Sequence, residues 1–191
     1  MSALSFERVG DFAVARQTDK LADCPDCGGT GLIRTVTQAN GRDYERVAPC
    51  AWRRTAQRVQ LFNQANLPAV QATAATETYK PSNAEQHRAL QVTKDFCFRW
   101  PSPRGFVLSG PVGTGKTHLL CAALKHLTIE AGVKAAYVEI SLLYSQIRRG
   151  FQDGKSGGEI IGPLSQVDVL AIDELGKGRG SQFELETLDE L

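Results

Sequence analysis

The sequence predicts an α/β fold, in which a parallel sheet carries a phosphate-binding loop at one strand end and a small cysteine-bearing module comes first. Three observations predict it. From Gly105 onward short apolar runs alternate with helical periodicity, the pattern of strands joined by crossover helices. Gly110-Pro111-Val112-Gly113-Thr114-Gly115-Lys116-Thr117 matches G-x-x-x-x-G-K-[ST] between such a strand and such a helix. The apolar run Val167–Ile172 ends in Asp173-Glu174, an acid pair at the strand end where a parallel sheet presents its ligand face. A chain of 191 residues with net charge +1 suits one core and a satellite. No apolar run reaches the roughly 18 residues of a membrane span, and the N-terminus has no signal-like apolar stretch, so a cytoplasmic protein is expected.

Three segments are expected: a module over residues 1–65, a linker over 66–103 and the α/β part over 104–191. In the first, Cys24-Pro25-Asp26-Cys27-Gly28-Gly29-Thr30-Gly31 is a zinc-knuckle pattern, because thiolates three residues apart reach one ion and the glycines let backbone N–H groups fold onto sulfur. Residues 32–48 read as a hairpin with Asn40-Gly41 at its turn, leading to Cys50. A structural zinc takes four ligands. Three are evident, and Asp23, Asp26 or water could complete the set, or the site could be a metal-free ribbon. Arg53, Arg54 and Arg58 then follow in a basic stretch that runs to Asn66-Leu67-Pro68 and by its residues reads as a solvated helical face. The linker holds one helix near Ala84–Phe98.

In the third segment Gly105–Ser109 reads as a strand and His118–Ala131 as a helix stopped by Gly132. Lys134–Ile140 reads as a strand, and Ser141 as the N-cap of a helix from Leu142 to Arg149, ended by Gly150. Cys97 and Cys121 sit in apolar surroundings and read as small buried hydrophobes.

The glycine loop has a chemical reason for its spacing. Consecutive backbone N–H groups must turn inward at phosphate oxygens, through dihedrals that glycine adopts without strain, which suits Gly113 and Gly115. The helix beginning near Lys116 adds its positive end. Lys116 is expected at the β- and γ-phosphates and Thr117 on Mg²⁺, with Asp173 in the ion's shell and Glu174 as general base.

Together these motifs resemble an AAA+ ATPase, a P-loop NTPase with a three-layer parallel sheet. Pro111 and His118 around the loop, and Asp173-Glu174-Leu175-Gly176, are similar to the forms found in bacterial helicase loaders of the DnaC/DnaI type and in IstB-type transposition helpers. The resemblance covers residues 104–191 most closely. It implies ATP and Mg²⁺ as ligands, residues Gly110 to His118 around the nucleotide, and a part in DNA replication as loader of the replicative DNA helicase hexamer. Loaders of the DnaI type have Pro-Cys-x-Cys where this chain has Pro49-Cys50-Ala51-Trp52, so Trp52 stands in a ligand's place.

The resemblance further implies docking of the N-terminal module on the helicase, homo-oligomers when the protein is full length, and contact with single-stranded DNA, for which Arg148, Arg149, Lys177 and Arg179 are candidates. A transposition helper and a non-enzymatic zinc-binding adaptor are the alternatives. By the same resemblance a further strand belongs between the phosphate-loop strand and the acidic strand, beyond Leu191. Residues 1–191 are therefore expected to have a gap in the sheet, to bind nucleotide weakly and to hydrolyse it poorly.

Overall fold

The computed structural model describes residues 3–39, 41–177 and 180–191. Asn40 of the expected turn and Arg179 lie outside them. Four strands come first: β1 (Leu4–Val9) and β2 (Phe12–Gln17) form one antiparallel hairpin, β3 (Leu32–Ala39) and β4 (Arg42–Pro49) another. The first hairpin adds a pair of strands to the expected module, and its two-residue Gly10-Asp11 connection, with Gly10 at φ +57°, is a strong turn signal.

Helix α1 (Ala51–Gln64) starts where Cys50 Sγ accepts the Arg53 N–H, an unusual N-cap that uses sulfur in place of a hydroxyl or carboxylate. It buries Val59 and Phe62, and its Asn63 side chain pairs both ways with the Ala15 backbone of β2, accepting at 2.8 Å and donating at 3.1 Å. Beyond its end, Leu67 is buried and its carbonyl takes the Ala13 N–H. One core cluster thus unites Ala13, Phe62, Leu67, Ala74, Leu124 and Ala171, drawn from all three expected segments.

Helix α2 (Ala84–Phe98) occupies the expected residues, capped by the Asn83 side chain on the Gln86 N–H. It packs on α3 (Lys116–His126), which continues through a π-helical turn over Leu127–Ala131 to Gly132 at φ +70°. Strand β5 (Ala135–Glu139) pairs in parallel with β6 (Val169–Asp173), and α4 (Ile140–Gln152) and the short α5 (Gly157–Ile161) make the crossover between them. Helix α6 (Gln182–Asp189) closes over α4 with its own capping box at Ser181 and Glu184, and its Phe183 ring lies 6.1 Å from that of Tyr144.

Two expectations are corrected. Residues 105–109 do not form a strand: Val107 is 91 % exposed, and a cleft of about 520 Å³, lined by Phe106, Leu120, Leu124, Val169 and Ile172, separates the segment from β6. A strand needs a ladder partner for its N–H and C=O groups, and no described residue fills the cleft. Helix α4 also begins and ends differently. Glu139 is its N-cap residue, Ser141 lies in the first turn with Oγ donating to Glu139 Oε1, and the helix runs through Gly150 to Gln152. Gly150 serves close approach rather than termination, since a Cβ there would lie 2.5 Å from Ile160 Cδ1 of α5.

Candidate functional site

The glycine loop runs from Gly110 to the first turn of α3. Gly110, Gly113 and Gly115 have φ of +149°, +84° and +83°, as a backbone that turns its N–H groups to one side requires. A Cβ on Gly113 would meet open space, so what that position demands of glycine is its dihedral rather than room. Gly115 needs both, because a Cβ would lie 2.5 Å from the Tyr79 ring. No side chain caps α3, which leaves the loop end of the helix open to an anion. Lys116 Nζ folds back on the loop, donating to the carbonyls of Gly110 at 2.9 Å and Pro111 at 2.8 Å.

Asp173, at the end of β6 and 7 % exposed, meets this loop. Its Oδ2 accepts from Thr117 Oγ1 at 2.6 Å and from the Tyr137 hydroxyl at 2.9 Å, while Oδ1 takes the Glu174 N–H at 2.9 Å. Glu174 follows in the left-handed region at φ +59°, a strained conformation for a non-glycine residue. Its carboxylate pairs with Lys177, whose pKa is raised first by that hydrogen bond. The fold therefore brings Thr117 of the loop into contact with Asp173 of the strand, with Lys116 and Glu174 next to them in the chain.

The segment before α2, read from sequence only as linker, walls the same site. The Tyr79 hydroxyl donates to the Thr114 carbonyl at 2.7 Å, and His118 Nε2 lies 3.0 Å from the Ala75 carbonyl and 3.2 Å from Thr78 Oγ1. Clefts of about 590 and 620 Å³ flank Tyr79, one reaching Leu108, Gly110 and Lys116, the other Lys80, Gly113 and His118. An isolated tyrosine among small polar residues carries no signal for this placement. It comes from tertiary packing.

The three N-terminal cysteines also converge: the Sγ atoms of Cys24, Cys27 and Cys50 all lie within 4.8 Å of one another, with Cys24 and Cys50 at 4.0 Å. Zn–S bonds of about 2.3 Å in a tetrahedron put sulfurs about 3.8 Å apart, so the three fit one such ion. Gly31 N–H donates to Cys27 Sγ at 3.2 Å and Arg53 N–H to Cys50 Sγ at 3.3 Å, hydrogen bonds that stabilise thiolate. Neither Asp23 nor Asp26 joins the cluster among the described residues.

Burial opposes ionisation of Cys27, but the Gly31 N–H, the Cys24 and Cys50 thiols and the Gly29 N–H outweigh it, and the pKa falls to about 7. Burial pushes Cys97 up to about 11 and Cys121 up to about 12. In metal-free protein, iodoacetamide should therefore label Cys27 with a rate that rises through pH 7, since only the thiolate reacts. Cys97 and Cys121 should stay unlabelled until the chain unfolds. Peptide mapping across pH 5.5–9 checks this, and a midpoint near 9 would remove the hydrogen-bond argument.

Of the candidate DNA contacts, Arg148 lies 3.4 Å from Glu184 and over the Phe183 ring, and Lys177 is taken by Glu174. Arg149, in the last turn of α4, is exposed. No described helix is long and apolar enough to cross a membrane.

A parallel strand pair whose acidic end faces a glycine loop and helix N-terminus defines a P-loop nucleotide-binding protein of the α/β class. Residues 46–190 match the IstB-like ATP binding protein family, and the chain belongs to that family. It is 27% identical over 127 residues to the replicative helicase loader DnaC of Escherichia coli (strain K12), covering 65% of this chain and 51% of DnaC. It is 26% identical over 133 residues to the uncharacterized protein YdaV of the same strain, covering 69% of this chain and 53% of YdaV. A protein of insertion sequence IS1162 of Pseudomonas fluorescens, named for ATP binding, is 40% identical over 70 residues, 37% of this chain and 29% of that protein. The chain thus spans about half the length of DnaC and YdaV.

Proposed function

We propose that this chain is the nucleotide-binding part of an ATPase that loads the replicative DNA helicase, with Mg·ATP as its switch. The observation that carries the reading is the 2.6 Å contact between Thr117 of the glycine loop and Asp173 of β6. Those two oxygens are the pair that would hold Mg²⁺. The N–H groups from Gly113 to Thr117 and the Lys116 ammonium take the β- and γ-phosphates, and Pro111, Val112 and His118 border the nucleotide. The ion, when bound, neutralises charge on the phosphates. Glu174 turns from Lys177 to a water and accepts its proton as the water oxygen bonds to the γ-phosphorus and ADP leaves.

Residues 1–65 are proposed as the helicase-docking module, 66–103 as the connector and 104–191 as the ATPase part. Cys24, Cys27 and Cys50 would hold Zn²⁺, and the ion would tie the Cys24–Cys27 loop to the start of α1. The role places the protein in the cytoplasm and, in its assembled form, among copies of itself. Single-stranded DNA, if it binds, meets Arg149 and its neighbourhood. Two features support the loader over the transposition helper: the likeness to DnaC over 127 residues and the cysteine module ahead of the ATPase part. The likeness to the IS1162 protein keeps the helper as the second reading.

The test is co-elution of residues 1–191 with the replicative helicase of the same source, with Cys24→Ser/Cys27→Ser as control. A complex is expected with the parent chain and at least tenfold less with the variant. A folded, zinc-loaded chain that gives no complex would move the reading to transposition.

A further inference from the structure

We infer that Tyr137 is a positioning residue for the metal site, the donor that holds the Asp173 carboxylate in the orientation an ion needs. This rests on the reading of Thr117 and Asp173 as the ion-holding pair. Oδ2 of Asp173 has two side-chain donors, Thr117 at 2.6 Å and Tyr137 at 2.9 Å. Thr117 is itself a prospective ligand, so its geometry must answer to the ion. Tyr137 lines neither of the clefts beside the loop, and its position is set by other contacts.

Those contacts come from two sides. Tyr137 sits at the middle of β5 opposite Ala171 of β6, and its backbone N–H donates to the Ala65 carbonyl at the end of α1 at 2.8 Å. Its ring packs against the main core cluster. A phenylalanine would satisfy that packing, so the core does not explain the hydroxyl; a half-buried tyrosine needs a partner for its O–H, and here the partner is Asp173. A carboxylate that ligates a metal is commonly held by such a group behind it, and loss of that group typically costs about 10–100-fold in metal affinity.

The experiment uses residues 1–191 with Tyr137→Phe, which keeps the ring. Fluorescent mant-ATP is titrated into parent and variant in EDTA and then at increasing Mg²⁺, with melting curves for both. The expected result is about a tenfold rise in the Mg²⁺ concentration that half-saturates the response, with metal-free affinity unchanged within twofold. In Asp173→Asn the Mg²⁺ response should vanish, and adding Tyr137→Phe should change nothing more, since both act through one carboxylate. Equal Mg²⁺ half-saturation in parent and Tyr137→Phe would overturn the assignment. So would equal losses with and without the ion, which would mark a purely structural hydrogen bond. A parent chain that binds mant-ATP with no response to Mg²⁺ would instead remove the Thr117–Asp173 reading, and this inference with it.

Discussion

Replacing Lys116 by alanine should weaken Mg·ATP binding by about a hundredfold or more while leaving the fold intact. The ammonium sits at the mouth of the glycine loop, held by the carbonyls of Gly110 and Pro111 at 2.9 and 2.8 Å. Both carbonyls belong to the loop itself and the side chain is not packed in the core, so the free protein loses two exposed hydrogen bonds and little else. In the proposed function the same ammonium donates to phosphate oxygens once nucleotide binds, and a charge-assisted hydrogen bond is worth about 1.5–3 kcal/mol. Removing two such hydrogen bonds at once exceeds the roughly 2.7 kcal/mol that corresponds to a hundredfold. Isothermal titration with a slowly hydrolysed ATP analogue, beside a thermal melt, is the measurement. Binding within threefold of the parent would mean that the loop does not hold phosphate. Lys116→Arg should recover little, because the loop's shape suits a point charge rather than a planar fork.

Where local chemistry decides an outcome, the sequence shows it plainly. The helix expected near Ala84–Phe98 forms over those residues, with Asn83 as its cap. Gly132 stops the helix before β5, and Cys50 meets Cys24 and Cys27 as their spacing implies. The acidic strand lies beside Thr117 even though 56 residues separate Thr117 from Asp173. Elements that depend on a distant partner are harder to read. Gly105–Ser109 has the apolar pattern of a strand, but pattern alone does not form a ladder, and across the cleft no described strand pairs with that edge of β6. Ser141 has the residue type of a cap, yet β5 hands directly into α4 and Glu139 takes the place. Tyr79 and Tyr137 gain their roles wholly from packing, one over Gly115 and one behind Asp173, and no local spacing distinguishes either from an ordinary core tyrosine. The β1–β2 hairpin does carry a signal in Gly10-Asp11, and the alternation either side of it supports that reading.

The largest effect on stability is expected at Phe62, where α1 meets the core. The side chain is 0 % exposed and its ring meets that of Phe6 edge to face at 5.3 Å between centroids. Its cluster contains Ala13 and Ala15 of β2, Leu67, Cys121 and Leu124 of α3, Ala135 of β5 and Ala171 of β6. Four of these seven residues are alanines held by backbone pairing, too short to reach into a void. The cavity left by Phe62→Ala should therefore persist, placing the loss at the upper part of the roughly 3–5 kcal/mol typical of buried phenylalanine. A domain of this size has about 5–15 kcal/mol in all, so such a loss brings the chain close to unfolding at 37 °C. Urea titration should show a lower midpoint with the slope unchanged. Phe62→Leu, which fills most of the volume, should cost about 1–1.5 kcal/mol. Because α1 reaches the Asp173 side of the site through the Ala65 carbonyl and the Tyr137 N–H, Phe62→Ala should also weaken the Mg²⁺ response at temperatures where the chain is still folded. Loss of stability with an undisturbed Mg²⁺ response would show that α1 supports the core without holding Tyr137 in place.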